Sequence, residues 1–304
     1  MPAADVASLK KAVSVPPLPQ RAQDANKGDC GKITVIGGSR GMSGAPCLSA
    51  RAAYRSGAGL VRIAVPASIW DIVAIKTDEC VTHGLNENAS GAVTKKALRK
   101  FGGSDEWADV FVCGPGMASH ADTVEEIRDF ATRVLQPTVL DADGLNAFAD
   151  GRVGKLKRPG AQFVLTPHPG EMARLLKTSI AAVQADRAKA ALECANLSGA
   201  VVVLKGSITL VCDGDRLYQN TTGNPGMATG GTGDVLTGII AALIGQGLKT
   251  FEAACLGVYL HGFAGDIVAS KLGVWSLIAS DLITELPKAI TLHAAKKSKQ
   301  TIRL

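Results

Sequence analysis

The segment Asn224-Pro-Gly-Met-Ala-Thr-Gly-Gly-Thr-Gly-Asp234 runs directly into the apolar stretch Val235-Leu-Thr-Gly-Ile-Ile-Ala-Ala-Leu243. Glycines at 230, 231 and 233 bare the backbone where an apolar helix is expected to begin. A helix start presents unpaired N–H groups and the positive end of the helix dipole, a combination that suits an anion. An acid in that first turn conflicts with a loop that only binds phosphate. It makes sense where the loop stabilises a phosphoryl group while Asp234 takes a proton from the attacking hydroxyl. An N-capped helix with a flexible approach would account for single glycines. Four glycines between 226 and 233, all near one acid, point instead to a phosphate site.

Other clusters have weaker meanings taken singly. Gly37-Gly-Ser-Arg-Gly-Met-Ser-Gly44 follows a strand-like run and opens a helix near Ala45, yet lacks the Lys-Ser/Thr ending of a P-loop. Ligand loop and tight turn both remain open for it, as they do for Gly114-Pro-Gly116-Met117. Asp141-Ala-Asp143-Gly-Leu-Asn146 could organise water or a magnesium ion, or serve as a pair of helix caps. In Thr166-Pro-His168-Pro-Gly-Glu171, two prolines hold His168 on a rigid loop suited to ligand contact, and Gly170-Glu171 starts the next helix. Lys205-Gly206-Ser207 places an ammonium and bare backbone near the phosphates, or is a solvated strand end. His261 is expected to pack against the helix after Asp234, and His83, His120 and His293 lack convincing partners. No Ser-His-Asp or Cys-His set and no metal-site spacing stands out.

The elements that must position these clusters are short apolar runs bounded by Gly and Pro. They are Ile33–Ile36, Leu60–Val65, Val110–Cys113, Thr138–Leu140, Phe163–Leu165 and Val201–Leu204. Most are continuously apolar, which predicts strands covered on both faces. Helices are predicted at Pro46–Ser56, Thr123–Leu135 and Ile180–Leu197, and later at Val235–Ile244, Phe251–Ala269 and Ala279–Leu286. Ser207–Cys212, an Asp-Gly turn and Arg216–Gln219 predict a hairpin. The pattern defines an α/β fold with a largely parallel central sheet flanked by helices on both faces. Ligands gather at the carboxyl ends of such strands, where most of the clusters fall.

A chain of 304 residues, 46% hydrophobic, can bury a large core. We expect an arm over 1–26, one domain over 27–290 and a basic tail over 291–304. The net charge of +6 comes from the two ends, with Lys296, Lys297, Lys299 and Arg303 in the tail, leaving a near-neutral body. That argues against nucleic-acid binding. Seven scattered cysteines without a C-x-x-C pair suit a reducing cytoplasm. The first residues lack the charged start and apolar stretch of a secretory signal, and no uninterrupted run of about 18 apolar residues exists to span a membrane.

Taken together, the chain resembles the ADP/ATP-dependent NAD(P)H-hydrate dehydratases of the ribokinase-like superfamily. The motifs that carry the resemblance are Lys32–Gly38, Gly44-Ala-Pro46, Arg55-Ser-Gly-Ala-Gly-Leu60, Cys113-Gly-Pro-Gly116, Leu140–Asn146, Leu165–Glu171, Lys205-Gly206 and Asn224–Leu236. The resemblance implies repair of hydrated NADH and NADPH, in which water has added to the nicotinamide ring and left a hydroxyl on C6. A nucleotide phosphorylates that hydroxyl and elimination restores the cofactor. It also implies that Asp234 is the base. Gly230, Gly231, Thr232 and Gly233 would hold the transferring phosphoryl group, while Lys205, Gly206, Ser207, Ile208 and Thr209 line the nucleotide site. Ala45, Gly116 and His168 would contact the hydrated dinucleotide. Related kinases carry an Asn-x-x-Glu element for magnesium; here His168 stands where that Asn would be and Glu171 is kept, which makes Glu171 the candidate Mg2+ ligand.

Many relatives carry a fused N-terminal epimerase domain, for which residues 1–26 are too short. A separate epimerase partner and action on the S epimer alone are therefore expected. ADP is the expected donor, and a homotetramer is expected by resemblance. The alternative is a kinase of the same fold acting on hydroxymethylpyrimidine or hydroxyethylthiazole. It would release a stable phosphorylated product. A nucleotide sensor without turnover would have no need of Asp234.

Overall fold

The computed structural model describes residues 6–12, 14–102 and 105–301, with side chains as far as 295. In chain order come β1 (Lys10–Ala12), β2 (Lys32–Ile36), α1 (Gly44–Arg55), β3 (Leu60–Pro66), α2 (Trp70–Lys76) and β4 (Val81–Leu85). Then follow β5 (Val110–Cys113), α3 (Ala121–Arg133), β6 (Thr138–Leu140), α4 (Asp143–Asn146), β7 (Phe163–Leu165) and α5 (Pro169–Leu176). Next are α6 (Ile180–Ala185), α7 (Arg187–Ser198), β8 (Val201–Leu204), β9 (Leu210–Cys212) and β10 (Arg216–Gln219). The long helices α8 (Thr232–Gly245), α9 (Thr250–Leu272) and α10 (Ala279–Thr301) come last.

The described strands form one sheet in the order β1-β10-β9-β8-β7-β6-β5-β2-β3-β4. All neighbours run parallel except β9, which is antiparallel to both β8 and β10. Continuous apolar runs are needed because the sheet is covered on both faces. In β5, Val110 and Val112 join the cluster beneath α1, α8, α9 and α10, while Phe111 and Cys113 join the one on the opposite face. The expected α/β architecture is therefore the one observed. All seven cysteines are free, and six are buried. Helix α9 is long and apolar enough to cross a membrane by composition alone, but two-thirds (67%) of its most apolar window is buried in the fold.

Four local readings need correction. The predicted helix over Ile180–Leu197 is broken at Asp186, whose side chain accepts from Lys189 N at 2.9 Å and caps α7. A capping acid there outweighs the helical spacing. The helix expected to stop at Leu286 continues through Pro287 to Thr301. An internal proline costs about 3 kcal/mol. Burial of Leu282, Ile283, Leu286 and Ala289 offsets it, at roughly 1.5 kcal/mol or more for each large side chain. Strand β4 was hidden because Val-Thr-His-Gly-Leu has no apolar pattern. It is held by pairing with β3 and by Trp70, whose Nε1 donates to Thr82 Oγ1 at 2.8 Å. Finally, Ser207–Thr209 stays a loop, so the hairpin arm begins only at Leu210. The edge strand β1 lies within the expected arm and pairs with β10. The basic side chains of the expected tail lie outside the described residues.

The contact that sets the site is α8 against α1. A Cβ at Gly238 would overlap the carbonyl oxygen of Ser49, so glycine alone permits this approach. Gly238→Ala should therefore lower stability by about 1–3 kcal/mol, measured as a fall in chemical-denaturation midpoint without loss of helical circular dichroism.

Candidate active site

Helix α8 begins at Thr232 behind Gly231, which caps it with φ of 91° and makes no side-chain cap bond. Asp234 is thus the third helical residue. Its backbone is clamped: the Asp234 carbonyl accepts from Ser49 Oγ at 2.9 Å and from Thr237 Oγ1 at 2.7 Å. Added side-chain bulk at Gly231 would strike Leu48, which ties the loop to α1 as well. From α9, His261 Nε2 donates to the Thr232 carbonyl at 2.9 Å. Burial pushes His261 down to about 4, so its ring is neutral at ordinary pH, and the proton in that bond sits on Nε2. The expected packing of His261 against this helix is found, with a bond that the sequence did not suggest.

Three strand ends converge on the start of α8. After β6, Asp141 is buried and its Oδ1 accepts from Thr166 Oγ1 and from Lys205 Nζ, each at 2.7 Å. Lys205, at the end of β8, also lies 3.7 Å from Glu171 Oε2. Burial pulls the ammonium down, but Asp141 and Glu171 outweigh it and its pKa is raised. Across the gap, a Cβ on Gly233 would lie 3.4 Å from Lys205 Nζ and 3.6 Å from Asp141 Oδ2. Asp234 responds to this setting: burial first, then the charge of Asp141, push its carboxyl up to about 7 against the pull of Lys205.

Asp141 is placed by strain. Ala142 adopts φ 48°, ψ −115°, a conformation that costs a non-glycine residue on the order of 1–3 kcal/mol. Gly114 and Gly144 allow the two strand ends to approach, since a Cβ on Gly114 would strike the Asp141 carbonyl and one on Gly144 the Cys113 carbonyl. Asp143 does not join the cluster; it accepts from Ala118 N at 2.9 Å and Ser119 Oγ at 2.7 Å. Its role is to hold the loop after β5.

His168 is the N-cap of α5, with Nδ1 accepting from Gly170 N at 3.0 Å and Glu171 N at 3.3 Å. Glu171 Oε2 in return accepts from His168 N at 2.7 Å, a reciprocal capping box. The His168 side chain is half exposed, and it lines a cavity of about 410 Å³ with Lys205, Gly230, Thr232 and Gly233. The first loop and the Gly114–Met117 loop are locked together, with Ser39 Oγ donating to the Gly116 carbonyl at 2.9 Å. A Cβ on Gly116 would come within 3.2 Å of the Ala45 Cβ, so those two candidate substrate contacts adjoin.

A second cavity, of about 420 Å³, adjoins the first and shares Lys205, Gly206, Thr232 and Gly233 with it. It is lined by Gly206, Ser207 and Thr209, by Thr232, and by the apolar Met227, Leu236 and Val258. Ile208 is exposed at its rim loop, outside the lining. Asn224, the first residue of the glycine-rich segment, also lines it, as do Asn220 and Thr222, which the sequence did not mark. Asn220 satisfies its amide on Thr222 and Val258 carbonyls, at 3.0 and 3.2 Å, and Asp266 fixes Gly223 and Asn224, each at 3.0 Å. Val258 and Asp266 lie on α9, too remote in sequence to be anticipated. His293 bonds the Pro16 carbonyl at 3.1 Å, far from these cavities in role.

Sheet order, the antiparallel β8–β9–β10 corner and a glycine-rich helix start above the strand ends define a ribokinase-like α/β protein. The family described as NAD(P)H-hydrate dehydratase matches residues 33–288, and the chain belongs to that family. It is 47% identical over 272 residues to the bifunctional NAD(P)H-hydrate repair enzyme of Moorella thermoacetica, covering 89% of this chain and 51% of that one. The chain thus spans about half the length of this relative. The ADP-dependent (S)-NAD(P)H-hydrate dehydratase of Neisseria meningitidis is 41% identical, with 84% and 82% covered. Among solved structures, the Bacillus subtilis ADP/ATP-dependent NAD(P)H-hydrate dehydratase, co-crystallised with ATP and Mg2+, superposes with a TM-score of 0.79. It is 26% identical, with 93% of this chain and 100% of that one covered.

The raised pKa of Asp234 has a consequence for stability. An aspartate ionises near pH 3.9 when unfolded, so the native state holds an extra proton between about pH 4 and pH 7. Native stability therefore falls as pH rises through that window. Asp234→Asn removes the penalty. The variant should melt above the parent protein at pH 8, with an advantage that shrinks as pH falls toward 4, in thermal unfolding followed across pH.

Proposed function

We propose that this protein is an ADP-dependent (S)-NAD(P)H-hydrate dehydratase. One observation carries the reading: Asp234 sits in the first turn of α8, next to Gly233, which lines both cavities, and in the field of Lys205, with its carboxyl shifted to about 7. A base poised near neutral pH accepts a hydroxyl proton with the least mismatch to its surroundings. In this reading the hydrated dinucleotide lies over Ala45 and Gly116 with His168 beside it, and its C6 hydroxyl faces Asp234. The nucleotide occupies the 420 Å³ cavity, with its phosphates between the 205–209 loop and residues 230–233. The unpaired N–H groups at the start of α8 take the charge that develops on the transferring phosphoryl group.

Asp234 takes the proton as the hydroxyl oxygen bonds to phosphorus and the bond to the departing nucleotide breaks. The C6 phosphate then leaves with its bonding electrons. Loss of a proton from the neighbouring ring carbon restores the double bond, so the products are reduced cofactor and inorganic phosphate.

Magnesium fits the chemistry of this cluster. Lys205 is one cation among three carboxylates, and Asp141 Oδ2 has no hydrogen-bond partner among the described residues. Mg2+ needs only one or two carboxylates besides phosphate oxygens and water. Asp141 and Glu171 would hold it. When bound it neutralises phosphate charge and orients the phosphates. Nucleotide phosphates and water would complete its coordination. The same reading makes the protein cytoplasmic and oligomeric, with an epimerase as its functional partner.

Hydrated NADH supplied with ADP or ATP should recover reduced-nicotinamide absorbance, faster with ADP. Asp234→Asn should keep the fold and lose about 10²–10⁴-fold in turnover, the usual worth of a positioned base. Near-normal turnover in that variant would remove Asp234 from the role of base. Failure of both nucleotides with the folded wild-type protein would overturn the reading.

A further inference from the structure

Arg187 opens α7 and reaches across to the loop that follows β8. Its Nη2 lies 3.1 Å from the Leu204 carbonyl, 3.2 Å from that of Lys205 and 2.9 Å from that of Ile208. Its Nε is buried with no hydrogen-bond partner, an unusual cost for a guanidinium. A Cβ on Gly206 would overlap the guanidinium, so glycine at 206 is what lets the arginine in.

The consequence follows from peptide geometry. In a trans peptide the C=O and N–H point in opposite directions, and the described chain has no cis bonds. Three carbonyls turned toward Arg187 therefore turn the N–H groups of Lys205, Gly206 and Thr209 away from it. The Lys205 N–H meets the Pro167 carbonyl at 2.8 Å. Those of Gly206 and Thr209 make no hydrogen bond among the described residues, and both residues line the 420 Å³ cavity.

We propose that Arg187 is a positioning residue that turns this loop into an anion cradle for the phosphates of a nucleoside diphosphate, without touching the nucleotide itself. This rests on the nucleotide-dependent reading above. The Gly206 and Thr209 amides donate to phosphate oxygens, and Lys205 supplies the charge between them and the start of α8. Arg187 acts only through the carbonyls it holds.

Calorimetric titration of the full chain with ADP and with adenosine tests this. Arg187→Met keeps the bulk and removes the donors. It should weaken ADP binding about tenfold or more, the worth of charge-assisted bonds to phosphate, while adenosine affinity and the KM for hydrated NADH stay unchanged. Arg187→Lys keeps a donor for the carbonyls and should fall between Met and wild type; it carries the same comparison if the Met variant does not fold. Unchanged ADP affinity, or equal loss for ADP and adenosine, would overturn the proposal. Wild-type protein that binds ADP yet cannot repair hydrated NADH would overturn the dehydratase reading and leave this one standing.

Discussion

One ammonium, that of Lys205, is set among three carboxylates, Asp141, Glu171 and Asp234, at the carboxyl ends of the central strands. Buried charges need partners, and one cation cannot satisfy three anions at once. Asp141 takes the short bond, Glu171 shares its charge with the backbone of His168, and Asp234 is left with the raised pKa. The acid least well compensated is thereby the one best able to accept a proton near neutrality. The same excess of negative charge is also what an anionic nucleotide would bring a divalent cation to neutralise. The proposed base and the proposed metal site both draw on this excess of negative charge, with burial contributing first to the shift of Asp234.

Holding that imbalance in place takes most of the architecture. Parallel strands bring Asp141, Thr166 and Lys205 side by side from positions 25 to 64 residues apart. The bare backbones of Gly114 and Gly144, with the strained Ala142, let β5 and β6 close on one another. On the other side, Ser49 and Gly238 fix α8 against α1 so that Asp234 cannot retreat. Stability is spent locally, in strain and in a half-buried acid, where the chemistry is proposed to occur.

Much of this was legible from the chain itself, for physical reasons. Strands covered on both faces must be apolar throughout, so the runs from Ile33 to Leu204 announced themselves, as did the Gly-rich start of α8. What escaped was interaction between residues distant in sequence. Asp141 and Asp143 look equivalent in Asp-Ala-Asp, yet one faces Lys205 and the other Ser119. Strand β4 exists through its neighbour β3 and the packing of Trp70, not through its own pattern. Arg187 reads as one more charge on a helix, because its partners are backbone carbonyls 17 to 21 residues further along. Carbonyl direction leaves no trace in residue type.

The account centres on a hydroxyl that is phosphorylated in order to be expelled. Its most direct test is the product balance of wild-type protein given hydrated NADH, ADP and Mg2+, followed by phosphorus NMR alongside nicotinamide absorbance. One inorganic phosphate and one NADH should appear for each ADP converted to AMP. A phosphorylated dinucleotide that accumulates while absorbance stays flat would contradict the account and mark the protein as a kinase.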